Sequence, residues 1–255
     1  MFDFDIRDGV LVWYKGEEES VVIPPEVRRI GVGAFKDSEL VRVELHGGIT
    51  RIHREAFMNC FRLREIHIPD SVTRIDAHAF CDCKALESVR LPPRLESIRS
   101  GTFEGCVSLK SIVLPETVRG IGSLAFIGCK SLETINLPEG LEEIGEQAFQ
   151  GCEKLTLDAL PPHIKKLWAW PFYECPIKRL RIGGEIEELR DFMVPDELQI
   201  LYAPEERLDD YLNGLNRYDP KDAFDSPYHI LEYGEGDRWT LVSEGDVPCL
   251  RRISI

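Results

Sequence analysis

The sequence predicts an α/β solenoid, a right-handed coil of stacked parallel strands and short helical turns closed by a cap at each end. Three periodicities predict it. Phe57, Phe80, Phe103, Phe126, Phe149 and Phe172 are each separated by 23 residues. Cys60, Cys83, Cys106, Cys129, Cys152 and Cys175 follow each Phe by three, and Pro69, Pro92, Pro115, Pro138 and Pro161 recur at the same period. Phe35 opens the series one residue out of step, with Ser38 in the Cys position. Units of this size carry an apolar face that only a stacked neighbour can bury.

Taken in chain order, residues 1–23 are expected to form an N-terminal cap. Phe2, Phe4 and Ile6 alternate before Asp8-Gly9, a two-residue hairpin signal, and Val10–Tyr14 supplies the returning strand. Residues 24–204 are the expected solenoid, and Ala125 to Ile144 shows how one unit works. Ala125, Phe126, Cys129 and Leu132 are spaced for one side of a short helix or helical turn. Leu132, Ile135 and Leu137 read L-x-x-I-x-L, whose end has the period of two of a strand. Pro138, with no N–H and a fixed φ, suits the strand's end, and Leu141 and Ile144 return the chain to the core. Residues 205–255 are the expected C-terminal cap. Leu208, Tyr211, Leu212 and Leu215 make an amphipathic helix after Pro204, with Glu205 and Glu206 in its first turn. Tyr228–Tyr233 and Arg238–Val242 then flank Gly234–Asp237 as a candidate hairpin, with Cys249–Ile255 a third strand.

The string Ile121-Gly-x-x-Ala125-Phe126-x-x-Cys129-x-x-Leu132-x-x-Ile135-x-Leu137-Pro138 resembles the bacterial BspA-like subclass of leucine-rich repeats. The resemblance covers roughly residues 20 to 204, and its motif is specific. Departures cluster late: Pro171 replaces the Ala, and the unit around Glu188–Phe192 has lost two residues and its Cys. The resemblance implies a leucine-rich-repeat solenoid serving protein–protein contact, often in surface-exposed adhesion modules.

Charge narrows the partners. Lys and Arg number 31 and Asp and Glu 45, a formal −14, and nearly all of the excess lies beyond Lys130. A chain with no basic region lacks the footprint for nucleic acid or an anionic membrane surface. No run of 18 apolar residues offers a spanning helix. The first nine residues have neither the basic nor the apolar region of a signal peptide. The expected location is therefore the cytoplasm, with a secreted or cell-surface location as the alternative if a leader was removed. The protein is expected to act as a monomer.

The six in-phase cysteines read as a buried ladder of free thiols. Stacked units repeat at about 4.8 Å with parallel Cβ vectors, whereas a disulfide needs Cβ atoms about 3.5–4.5 Å apart. His78-x-x-Cys81-x-Cys83 carries metal-ligand types, but Cys83 belongs to the ladder, Cys81 is placed in an outward position, and no fourth ligand follows at a recognised spacing. No metal and no cofactor are expected. There is no G-x-S-x-G, and none of the six His accompanies an isolated nucleophile, so the reading is non-enzymatic. The alternative of another class is an enzyme or metal site in the irregular segment after Pro204.

Surface remains. The mid-strand outward position reads Glu44, His67, Arg90, Val113, Asn136, Ala159, Arg181 along successive units, one sheet face offered to a protein partner of unidentified kind. A second candidate is Trp168 and Trp170, which occupy positions that are mostly polar or Gly in other units. Either the C-terminal segment folds back over them, the favoured expectation, or they anchor a partner.

Overall fold

The computed structural model describes residues 3–187, 189, 194–216, 237–245 and 247–254. Each coil contributes two short strands and a tight turn. The longer strands are Ser20–Val22, Arg42–Glu44, Glu65–His67, Ser88–Arg90, Ser111–Val113, Thr134–Asn136 and Arg179–Arg181, each exposed–buried–exposed, with Ile200–Tyr202 following. The alternation drives one β-branched or Leu side chain per strand into the core and leaves its neighbours in solvent. The shorter strands are Arg29–Ile30, Arg51–Ile52, Arg74–Ile75, Ser97–Ile98, Gly120–Ile121, Glu143–Ile144 and Lys166–Leu167, and each buries its second residue. The pairs within both series are parallel, each series being interrupted after the Arg74–Ile75 and Ser88–Arg90 strands, and like stacks on like: Ile52 on Ile30 and Ile75, Ile121 on Ile98 and Ile144.

The turn connecting a short strand to the next long one is a helical turn, not a helix. In the coil of Phe126, the amides of Ala125, Ile127 and Cys129 donate to carbonyls three residues back, on Gly122, Leu124 and Phe126. The amides between them, of Leu124, Phe126 and Gly128, donate to Glu146, Ala148 and Gln150 of the next coil at 2.9, 2.7 and 2.7 Å. Half the donors are thus committed sideways, so no i→i−4 ladder can propagate. This geometry places Leu124 and Gly128 at φ 61° and 70°. The same left-handed pair recurs at Gly33/Asp37, Glu55/Asn59, His78/Asp82, Gly101/Gly105, Gln147/Gly151 and Trp170/Glu174. A side chain at such a position costs about 1 kcal/mol or more, which the inter-coil hydrogen bonds offset.

The core is a column of rings. Phe35, Phe57, Phe80, Phe103, Phe126, Phe149 and Phe172 are all buried, and successive rings lie 5.0–5.6 Å apart at interplanar angles of 13° or less. Beside it runs the thiol ladder. Each Sγ donates to the carbonyl of the Phe one coil back, as in Cys129 to Phe103 at 3.1 Å and Cys152 to Phe126 at 3.2 Å. That carbonyl already accepts the amide three residues on, so the thiol fills its second lone pair where water has no access. All eight cysteines are free thiols. One expectation is corrected: Cys81 is not outward but 3 % exposed, while Cys83 is buried in the ladder as anticipated. The turns lie flat on one another, so the residue after each Phe faces its counterpart in the adjacent coil. Met58, Glu104, Ile127 and Gln150 are half-buried there, and Cys, the smallest of the set, is covered completely.

The hairpin Phe4–Arg7/Val10–Tyr14 turns through Asp8 and Gly9 at φ 49° and 69°, the pair of positive values that a type I′ turn requires. Its second strand pairs in parallel with Arg29–Ile30, making it the first rung of the short-strand sheet. Tyr14 and Phe4 end the ring column by tilting, 42° against Phe35 and 40° against Tyr14. At the far end the anticipated helix is Leu208–Leu215, burying Leu208, Tyr211 and Leu215. The buried Tyr211 hydroxyl donates to the carbonyls of Gly183 and Ile186. Asp237–Glu244 and Val247–Ser254 form an antiparallel hairpin docked antiparallel on Ile200–Tyr202. The strand read at Arg238–Val242 therefore takes Val247–Ser254 as its hairpin partner, and Tyr228–Tyr233 lies outside the described residues.

Two stability outcomes follow from the ring column. Phe126→Ala is expected to cost about 3–5 kcal/mol in a denaturant melt. Glu142→Ala, which removes an exposed pair with Lys165, should stay within about 0.5 kcal/mol; comparable losses would contradict the inward assignment of Phe126. A third outcome concerns the thiols, whose burial pushes Cys106 and Cys129 well above the ordinary thiol pKa. An aromatic disulfide reagent near neutral pH should leave the folded protein unlabelled and count eight thiols after denaturation under non-reducing conditions; rapid labelling of the folded chain would argue against the ladder.

Candidate functional site

The long-strand sheet presents the anticipated row. Glu44, His67, Arg90, Val113, Asn136, Ala159 and Arg181 are all exposed, and strand pairing brings His67 opposite Arg90, Val113 opposite Asn136 and Ala159 opposite Arg181. Their surroundings differ. Glu44 pairs with Arg42, and Arg90 bonds His67 and reaches Asp70 at 3.2 Å. Asn136 is held by the backbone of the preceding coil: its amide oxygen accepts from Leu114 N–H at 2.6 Å and its NH₂ donates to Leu114 C=O at 3.0 Å. Arg181 lies over the Tyr202 ring. Val113, at 73 % exposed, has the largest exposed fraction among the large apolar side chains described.

The two tryptophans separate. Trp168 is 50 % exposed, and its indole N–H donates to Glu143 of the preceding short strand. The favoured expectation of a C-terminal cover therefore does not hold for Trp168, because the described C-terminal hairpin docks on Ile200–Tyr202 instead. Trp170 is half-buried at φ 50°, the left-handed position of its turn.

Two clusters carry charge. On the short-strand side, Asp76 is 8 % exposed and accepts from Arg51 Nε and its terminal nitrogen at 3.0 and 2.7 Å and from Arg74 Nε at 2.6 Å, with His53 Nδ1 at 3.5 Å. Burial opposes ionisation of Asp76, but the hydrogen bonds and charges of Arg74 and Arg51 outweigh it and hold the carboxyl below its ordinary value. Burial and the Arg51 charge push His53 down, toward the neutral imidazole. On the turn side, His78, Cys81 and Glu104 bring their ligand-type atoms within 4.8 Å of one another, with His78 Nδ1 3.3 Å from Glu104 Oε2. Burial, with Glu104 and Asp82 nearby, pushes the Cys81 thiol up to about 12. Cys83 is absent from this group, its thiol donating to Phe57 C=O at 3.1 Å. Glu104 and Asp76 escaped the sequence reading; the available signal was the 23-residue offset that puts Glu104 in the column of Cys81.

Asp76 yields a pH-dependent outcome. Its carboxyl ionises more readily folded than unfolded, so its stabilisation is complete above an ordinary carboxyl pKa of about 4 and is lost as pH falls through the lower folded value. Asp76→Asn should cost about 1–3 kcal/mol near neutrality, discounted for the partly exposed arginines. The melting-temperature gap between variant and wild type should close on acidification; a gap independent of pH would remove Asp76 as its source.

A family model described as the BspA type leucine rich repeat region matches residues 12–133 and 75–197, in six copies. No curated protein matches the chain. Among solved structures, a Treponema pallidum leucine rich repeat protein is similar at 26 % identity and a TM-score of 0.56, over 79 % of this chain and 81 % of that one. A leucine rich cell surface protein of Faecalibacterium prausnitzii is similar at 25 % identity and 0.53, over 78 % and 63 %. A leucine-rich repeat protein of Eubacterium ventriosum shares the fold at 23 % identity and 0.61, over 66 % and 46 %.

Proposed function

For a chain that belongs to the BspA type leucine-rich-repeat family, we propose a non-enzymatic role in binding a protein partner across the long-strand sheet. The observation that carries this reading is the exposed row from Glu44 to Arg181, one residue per coil, centred on Val113. A rigid row of that kind presents an apolar anchor among charged neighbours without an ordering cost on binding. The row mixes acid, base and apolar residues, which suits one shaped protein surface rather than a repetitive polymer. Capture from the native cell fraction tests it: Val113→Glu should lower recovery of a partner roughly ten-fold or more, a difference of about 1.4 kcal/mol, with an unchanged melting temperature. Full recovery with Val113→Glu, but loss with Trp168→Ala, would move the site to the short-strand sheet.

Two observations bear on location and favour different compartments. The free thiols suit a reducing interior. The name of the Faecalibacterium structure, a cell surface protein, supports the exported reading. No described helix is long and apolar enough to cross a membrane. We take the reducing interior as the first reading; protease shaving of intact cells should leave the chain whole, and its selective digestion would establish surface display.

A further inference from the structure

The group on the turn side has the chemistry of a metal centre, and the fold assembles it from two coils. His78 and Cys81 stand three residues apart in one turn, and Glu104 occupies the position of Cys81 in the next. Stacking of the turns by Phe80 N–H to Thr102 C=O and Asp82 N–H to Glu104 C=O fixes the two coils at this spacing. The glycine at Gly101, at φ 60°, is what lets the ligands converge. A Cβ there would collide with His78 Nδ1 and lie 2.9 Å from Glu104 Oε2. At the same turn position other coils carry Glu55, Leu124 and Gln147.

We propose that His78, Cys81 and Glu104 bind one zinc-class divalent cation, leaving a fourth coordination position to water. One nitrogen, one sulfur and one carboxylate oxygen form the mixed set that borderline cations accept, and three protein ligands with an open position are a recognised tetrahedral arrangement. Bond lengths of about 2.0–2.3 Å need the ligand atoms closer than 4.8 Å. Glu104, with a side chain one-third exposed, supplies that movement by rotation. Its ionic partner among the described residues is His78, so no Lys or Arg there competes for the carboxylate. The neighbouring Asp82 carboxylate, 3.8 Å from the Cys81 thiol, adds negative charge beside the cation. Binding replaces the S–H bond of Cys81 by a sulfur–metal bond and releases that proton to solvent. One turn supplies two of the ligands, His78 and Cys81, and the third, Glu104, comes from the adjacent turn.

Cobalt(II) titration of the full chain under reducing conditions tests the site. The expected result is one equivalent bound per chain, with a near-ultraviolet sulfur-to-cobalt charge-transfer band that zinc displaces. Cys81→Ser, near-isosteric, should abolish the band, and Glu104→Gln should weaken binding roughly ten-fold or more while leaving the melting temperature of the metal-free chain unchanged. Absence of a saturable one-to-one signal, or a band that survives Cys81→Ser, would overturn the proposal. Should Cys81→Ser fail to fold, cobalt affinity in Glu104→Gln decides alone: unweakened binding rejects the assignment.

Discussion

Alternate amides of the turns from Gly33 to Gly151 donate to carbonyls one coil further on, and this sideways hydrogen bond sets the terms for the remaining packing. It holds adjacent turns at the spacing of paired strands, and that spacing brings the Phe rings to 5.0–5.6 Å, face over face. It also prevents the turn from lengthening into a helix and requires two left-handed residues per coil, four positions apart. Gly, Asn and Asp fill many of these positions at little cost, but Leu124, His78 and Trp170 do not. Their tolerance shows how far the stacked neighbours determine the backbone locally. The thiol is the complement of the same arrangement. A Phe carbonyl turned into the core has a second lone pair that only a small, weakly polar donor can reach, and Cys meets both conditions.

A stack of this kind has two problem surfaces, its ends. The N-terminal one is met by continuing the ring column with tilted aromatics, Tyr14 then Phe4, on a hairpin whose outer strand closes the short-strand sheet. The C-terminal one is met by reversing polarity: two antiparallel strands follow Ile200–Tyr202, and the Asn216 side chain bonds both backbone groups of Trp239 to tie helix and hairpin together. Neither solution uses repeat residues, because a residue that suits the interior of a stack leaves an open edge at its boundary.

How much was readable from residues alone follows this division. Period and phase placed Phe126, Cys129 and Ile135 inward, put Glu44 to Arg181 outward in one row, and located the helix at Leu208–Leu215. Asp8-Gly9 carried enough turn chemistry to announce the hairpin. What failed was local geometry between coils. Cys81 reads as outward because it stands at a variable position of the repeat, whereas the flat turn presses it against the coil of Glu104. The pair of Arg51 and Asp76 was likewise invisible, since it is joined across 25 residues and no in-chain spacing links it. Tyr14 stands out of phase with the repeat, so its place in the ring column had no periodic signal.

The uniform separation of partners along the chain has a kinetic meaning. Nearly every inter-coil hydrogen bond joins residues 21 to 26 positions apart, so each new coil closes a loop of the same modest size, with an entropic term of roughly 3 kcal/mol that does not grow as the stack lengthens. Growth can then begin at any adjacent pair of coils and spread outward one rung at a time. A half-finished stack offers an exposed aromatic plate and an unpaired strand edge at its growing face, the two features most apt to recruit a neighbouring chain. During synthesis the N-terminal hairpin emerges before the coils and supplies a finished face from which rungs add in order. The hairpin that docks on Ile200–Tyr202 lies beyond every coil in the chain, so the opposite face stays open until all the rungs have been made.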